Sequence, residues 1–304
     1  MKNQPRIFRT ISELYKAMGQ PAPMHPLISI LNYGEAIFDP QDFENGIILE
    51  YYKISFKTHF KGKLRYGHGF YDFEEGGMSF VLPGQILKMQ DEEADYSGMS
   101  LHIHPDFIRP YTLNSNIKKY GFFSYSASEA LYLSEKERET ILGVFASIKN
   151  ELNERIDNFS QDVVISQIEL LLNYSNRFYN RQFITRKAVN HDVLSKLETI
   201  INEYFDEEKT LLNGVLTVQF LADELNLSTR YLSDLLRTLY GQNTQQFIHD
   251  KLIEKAKEYI VNGTFSVSEI GYKLGFEHPQ SFNKLFKKKT NLSPIAFKEL
   301  FNKN

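Results

Sequence analysis

Leu221-Ala222-Asp223-Glu224-Leu225-Asn226-Leu227 and Ile270-Gly271-Tyr272-Lys273-Leu274-Gly275-Phe276 are two copies of one pattern, 49 residues apart. One residue is gained after the first block, and Leu232-Ser233-Asp234-Leu235-Leu236-Arg237 then aligns with Phe282-Asn283-Lys284-Leu285-Phe286-Lys287. Each copy reads as a short helix, a tight turn and a longer helix, at about 217–241 and 266–291. Ala222 and Gly271 stand where the second helix must cross close to the first. Asn226 and Gly275 stand where the turn calls for a left-handed backbone.

The second helix of each copy has a marked start. Ser228 is a good N-cap in the first; in the second, Pro279 takes the first helical position with His278 before it as cap. Leu232, Leu235 and Leu236 make the buried stripe of one, and Phe282, Leu285 and Phe286 that of the other. The remaining faces carry Arg230, Ser233 and Asp234, and Gln280, Ser281 and Lys284, side chains able to hydrogen-bond base edges. Arg237, Lys287 and Lys288 follow one turn on and are candidate phosphate contacts. A solvated helix face is the alternative for any one of them; their placement on two repeated helices favours DNA.

From Leu216 to Phe301 the chain resembles the AraC/XylS DNA-binding domain. The match is carried by Glu269–Phe276, Ser281-Phe282, Phe286-Lys287, Ser293-Pro294 and Phe297, and in the first copy by Leu221-Ala222, Leu227-Ser228, Tyr231-Leu232 and Gly241. The resemblance implies a seven-helix domain with a spacer helix over about 244–261 holding both recognition helices on one side of the duplex. Two departures from the family pattern occur: Asn291 replaces a glycine, and Lys298-Glu299 stands where a basic residue is usual.

The first part, to about Tyr125, is rich in Tyr, Phe and Gly and broken by turn signals such as Leu82-Pro83-Gly84-Gln85, which predicts an antiparallel β barrel or sandwich. Alternation is clearest at 99–104, with Met99, Leu101 and Ile103 on one face and Ser100, His102 and His104 on the other. Residues 20–125 resemble the cupin-like sensor barrel of the same family, which implies a small-molecule effector. The candidate pocket residues are His59, Phe70, Tyr71, Phe80, His102 and His104. His102 and His104 two apart on a strand could share a metal; hydrogen-bonded pocket residues are the favoured reading, with neither metal nor cofactor. Ser134 with Glu137 opens a helix, and a second runs from about Gln161 to Tyr179. This pair, within 134–179, either covers the barrel or forms a dimer surface through Ile165, Ile168 and Leu172.

The expected architecture is therefore α+β. A cupin-like β barrel with a helix pair occupies residues 1–183, a polar linker 184–191, and an all-α domain with two helix-turn-helix motifs 192–304.

Composition bounds the alternatives. Cysteine is absent, which removes disulfides, thiolate metal sites and cysteine nucleophiles. No run of eighteen apolar residues and no secretory leader is present, so the expected location is the cytoplasm, away from membranes. The net charge is −3, yet from Ile260 onward seven basic residues face three acidic ones. No phosphate-binding glycine loop, Gly-x-Ser-x-Gly elbow or His-Glu-x-x-His occurs, and the chain is not expected to be an enzyme. A transcription regulator binding double-stranded promoter DNA as a homodimer is the main expectation, with RNA polymerase as a further partner if it activates. The competitors are a metal-dependent cupin enzyme tethered to DNA and an interaction module that has lost DNA binding.

Overall fold

Turn residues and caps set the element boundaries. The computed structural model describes residues 4–37, 45–58, 77–87, 97–126, 129–154, 157–206 and 209–301. It forms two units, Met1–Gln182 and Phe183–Asn304.

In the first unit β1 (Arg6–Phe8) leads into α1 (Ile11–Ala17), opened by a Thr10–Glu13 capping box. β2 (Ile28–Asn32), β3 (Ile47–Leu49), β4 (Tyr52–Lys57), β5 (Gly77–Val81), β6 (Ile86–Leu87), β7 (Gly98–Ile103) and β8 (Leu131–Tyr132) follow. They make a three-stranded sheet, β1-β3-β6, and a five-stranded sheet, β2-β7-β4-β5-β8. Among the described residues these are two sheets and not one closed barrel, and β1 runs parallel to β3 where only antiparallel pairing was expected. The turn at Pro83-Gly84 is the physical reason. Gly84 has φ +82° and donates its N–H to Leu49 O at 2.8 Å, so the chain leaves the larger sheet after β5 and enters the smaller one at β6.

Register sorts the large sheet into two faces. Ile30, Leu101, Ile54 and Phe80 form one cross-strand row; Ser29, His102, Lys53 and Val81 form a row on the opposite face, beside Leu31, Ser100, Ser55 and Ser79. The second face meets the smaller sheet and α1, where Phe8, Ile11, Tyr15, Leu49, Tyr51 and Leu87 share a core with Leu31 and Val81. The first face is covered by the aromatic segment around Phe122 and Phe123 and by the helix pair α4 (Glu135–Asn153) and α5 (Ser160–Thr185). Two short helices, α2 (Pro105–Ile108) and α3 (Leu113–Asn116), link β7 to that segment. Ile165, Ile168 and Leu172 are buried within this unit. They pack the chain's own core and cannot form a dimer seam, which corrects their assignment: an apolar stripe shows which side of a helix is dry, not what dries it.

The second unit holds α6 (Lys187–Asp206), α7 (Lys209–Asn213), α8 (Val218–Glu224), α9 (Thr229–Tyr240), α10 (Thr244–Asn262), α11 (Val267–Lys273), α12 (Pro279–Thr290) and α13 (Pro294–Phe301). That is eight helices among the described residues against the seven expected, the addition being the five-residue α7. The stretch expected as a polar linker, 184–191, is helical except at Arg186. It contains no glycine or proline, so nothing local prevents helix on either side.

Candidate nucleic-acid interface

Both recognition helices are set by local chemistry. Thr217 Oγ1 accepts the Phe220 N–H at 3.1 Å to start α8, and Ser228 Oγ accepts the Tyr231 N–H at 3.1 Å to start α9. The second copy opens with a Ser266–Glu269 capping box at α11. His278 occupies the cap position of α12 but makes no capping hydrogen bond; Pro279 at N1 has no N–H there to satisfy. The turns are left-handed at Asn226 (φ 54°) and Gly275 (φ 87°), and the long helices end left-handed at Gly241 (φ 72°) and Asn291 (φ 62°). Asn291 thus adopts the left-handed conformation expected at the position where the resembling family carries a glycine.

Leu232, Leu236, Phe282 and Phe286 share one core with Leu221, Ile270, Leu252 and Ile253. The 19-residue α10 passes through that core between the two copies. Packing in this way leaves Gln280, Ser281, Lys284, Lys287 and Lys288 on α12 exposed, as the sequence suggested. On α9, Arg230 and Arg237 are exposed and both bind the half-buried Asp234. Ser233 departs from its expected role. Its hydroxyl is half-buried, lies 3.2 Å from Thr244 Oγ1 and accepts the Thr244 N–H at 3.4 Å, so it ties α9 to the first turn of α10 and does not face outward. Sequence reading missed a comparable tie: Lys289 Nζ bonds Asp250 Oδ1 at 2.5 Å, fastening the end of α12 to α10. No sequence signal links two residues thirty-nine positions apart.

The expected effector residues separate. His59, Phe70 and Tyr71 lie outside the described residues. Phe80 faces the helices, in tilted contact with Phe122 at 4.3 Å between ring centroids, on the opposite side of the sheet from His102. His104 has left the strand and caps α2 by accepting the Asp106 N–H at 3.2 Å, so the two histidines do not converge. His102 is completely buried; its Nε2 lies 3.0 Å from Ser100 Oγ and its ring 5.6 Å from that of Tyr51. Burial, and then the charge of Lys53, holds its imidazole well below the ordinary histidine range.

Around His102 the structure gathers residues the sequence reading did not single out. Tyr33 Oη meets Ser55 Oγ at 2.9 Å, and the ammonium groups of Lys53 and Lys57 stand 5.6 and 6.0 Å from the Tyr33 ring centre. Burial, with Lys53's charge second, pushes the Lys57 amine well down. Neither Tyr51 Oη nor His102 Nδ1 has a hydrogen-bond partner among the described residues. The alternation Lys53-x-Ser55-x-Lys57 is the signal that marks this face. Beside it, along the edge of β2, runs a cleft of about 380 Å³ lined by Tyr15, His25, Ser29, Asn32, Glu35 and Lys149, among others.

No helix among the described residues is long and apolar enough to cross a membrane. A model of the helix-turn-helix domain family matches residues 221–299. The chain is similar to histidine kinase P4 of Formosa agariphila, 22% identical over 142 residues, 46% of this chain and 10% of that protein. It is also similar to the HTH-type transcriptional activator RhaS of Salmonella schwarzengrund, 26% identical over 136 residues, 44% of each chain. Among solved structures, a transcriptional regulator of Chromobacterium violaceum described by its AraC-type DNA-binding domain matches at 17% identity with a TM-score of 0.32, over 37% of this chain and 94% of that one. The matched stretch thus spans less than half the length of these two curated relatives.

Proposed function

We propose that this chain, whose C-terminal unit is a helix-turn-helix domain of the AraC/XylS type, is a sequence-specific transcription regulator acting on double-stranded promoter DNA in the cytoplasm. The observation that carries the reading is the pair of recognition helices in one unit, each with an exposed face of hydrogen-bonding and basic side chains, joined by α10. Gln280, Ser281 and Lys284 read bases from one helix and Arg230 from the other, while Arg237, Lys287 and Lys288 hold phosphates. The chain works by binding and not by catalysis.

A spacer of 19 residues is roughly 28 Å long at 1.5 Å per residue. With the width of the recognition helices added, it suits two major-groove segments about one duplex turn apart, ~34 Å. Sequencing the genomic duplexes retained by the purified chain tests the proposal. Two short boxes about ten base pairs apart are expected, with retention falling steeply as salt rises. Retention without sequence preference, or none at low salt, would overturn it and favour the interaction module.

The first unit serves as the sensor and as the homodimer contact. Its effector enters the cleft along β2, whose volume suits a small molecule and whose Tyr15 and Ser29 wall adjoins the polar layer around His102. Self-association uses the exposed stripe of α5 and the residue before it, Phe159, Val163 and Leu170. If the regulator activates, RNA polymerase is a further partner.

A further inference from the structure

The two recognition helices differ in one respect that bears on specificity. Helix α12 carries Lys284, Lys287, Lys288 and Lys289 and no acidic residue, whereas α9 places Asp234 between its two arginines. Asp234 Oδ2 accepts from Arg230 Nε at 3.0 Å, and Oδ1 accepts from Arg237 Nη1 at 2.6 Å. Spacings of four and three residues put all three on one stripe of the helix. The guanidinium side chains are 44% and 51% exposed and the carboxylate 17%, so the acid lies at the base of the stripe with the arginines above it.

Affinity for any duplex rises with the number of phosphates that basic side chains neutralise. A carboxylate shared by two arginines halves the positive charge that α9 offers and itself repels phosphate. Exposed ion pairs of this kind are individually weak, so the arginines are released cheaply where a matching site gives them better partners. We infer that Asp234 is a specificity-setting, positioning residue. It holds Arg230 and Arg237 in check away from the cognate sequence, so that sequence-independent attachment falls mainly to Lys287 and Lys288 of α12. This differs from a role for Asp234 as a direct acceptor from cytosine, and it rests on the DNA-binding reading above. Specificity is then set partly by what is withheld from wrong sites.

The test uses the full chain, a duplex recovered by the genomic selection and a shuffled duplex of the same composition, with binding followed by anisotropy across a salt series. Asp234→Asn is expected to tighten binding to the shuffled duplex roughly tenfold and to steepen its log–log salt slope by about one to two units. The selected duplex should gain less, so the ratio of the two affinities falls, and Asp234→Glu should restore the parent's ratio. A gain of affinity cannot come from lost fold, so instability of the variant does not imitate the result. Unchanged affinity and slope on the shuffled duplex would overturn the inference. So would weaker binding to the selected duplex alone, the signature of a direct base contact. If the parent chain bound neither duplex at low salt, the regulator reading itself would fail and this inference with it; a parent that binds, with an unaffected Asp234→Asn variant, fails the inference alone.

Discussion

A methyl group on Gly275 would lie 2.4 Å from the carbonyl carbon of Gly214 and 2.6 Å from Val215 N, so the turn of the second helix-turn-helix copy is closed against the backbone that precedes α8. Thr210 Oγ1 donates to Lys273 O at 2.6 Å, which holds the two segments together, and Tyr204 Oη donates to Gly214 O at 3.0 Å, which ties the Gly214 segment to α6. Gly275 also has φ +87°. Gly241 shares the left-handed backbone but has open space where a Cβ would go.

Gly275→Ala should therefore destabilise the second unit by about 3 kcal/mol or more, combining backbone strain with an unavoidable backbone shift. Gly241→Ala should cost only the strain, about 1 kcal/mol. Urea unfolding of the full chain, followed by circular dichroism of the helical transition, compares them. Equal losses would mean that the contact with Gly214 carries no weight.

Ala substitution of Gln280, Lys284 or Arg230 should weaken specific binding by roughly 1–3 kcal/mol and relax preference at a few base pairs. Lys287→Ala should weaken specific and nonspecific binding together and lower the salt slope by about one unit. Ser233→Ala, in contrast, should leave base preference intact and cost about 1 kcal/mol of stability, because its hydroxyl holds the start of α10. A changed base preference for Ser233→Ala would return that residue to the reading face.

Val163 and Leu170 are 39% and 45% exposed on α5, on the side away from Ile165, Ile168 and Leu172. Val163→Glu with Leu170→Glu should shift the chain from dimer to monomer in sedimentation, with little change in thermal stability. Ile168→Glu should instead unfold the first unit, a loss of ~3 kcal/mol or more, because a carboxylate would sit in a dry core. A double variant that stays dimeric would remove α5 from the interface.

Burial holds His102 neutral in the folded chain while the unfolded chain takes up a proton near the ordinary histidine value, about 6.5. Its contribution is thus fully present above that pH and is lost as pH falls through it. Below it the slope approaches about 1.4 kcal/mol per pH unit for this one group. His25 and His249 are shifted the same way by burial and persist in a His102→Asn variant, so the quantity to measure is the difference in slope between parent and variant. Identical stability profiles between pH 7.5 and about 5 would show that His102 protonates freely.

The repeat, its caps and its left-handed positions were legible in the sequence because they are short-range matters. The left-handed conformations of Asn226, Gly275 and Asn291 and the 217–241 and 266–291 pairs follow from backbone chirality, capping hydrogen bonds and a 3.6-residue period, each set within a few residues. Strand parity was legible in the same way: Leu101 and His102 do occupy opposite faces of β7. What covers each face was not. Only packing decided that His102 meets a second sheet, that Phe80 meets Phe122 and Tyr179, and that Ile165, Ile168 and Leu172 face their own core. Likewise, only packing turned Ser233 toward Thr244 and set Asp250 beside Lys289. Periodicity reports that a surface is buried or polar; which distant segment lies against it depends on long-range closure, to which a local pattern is blind.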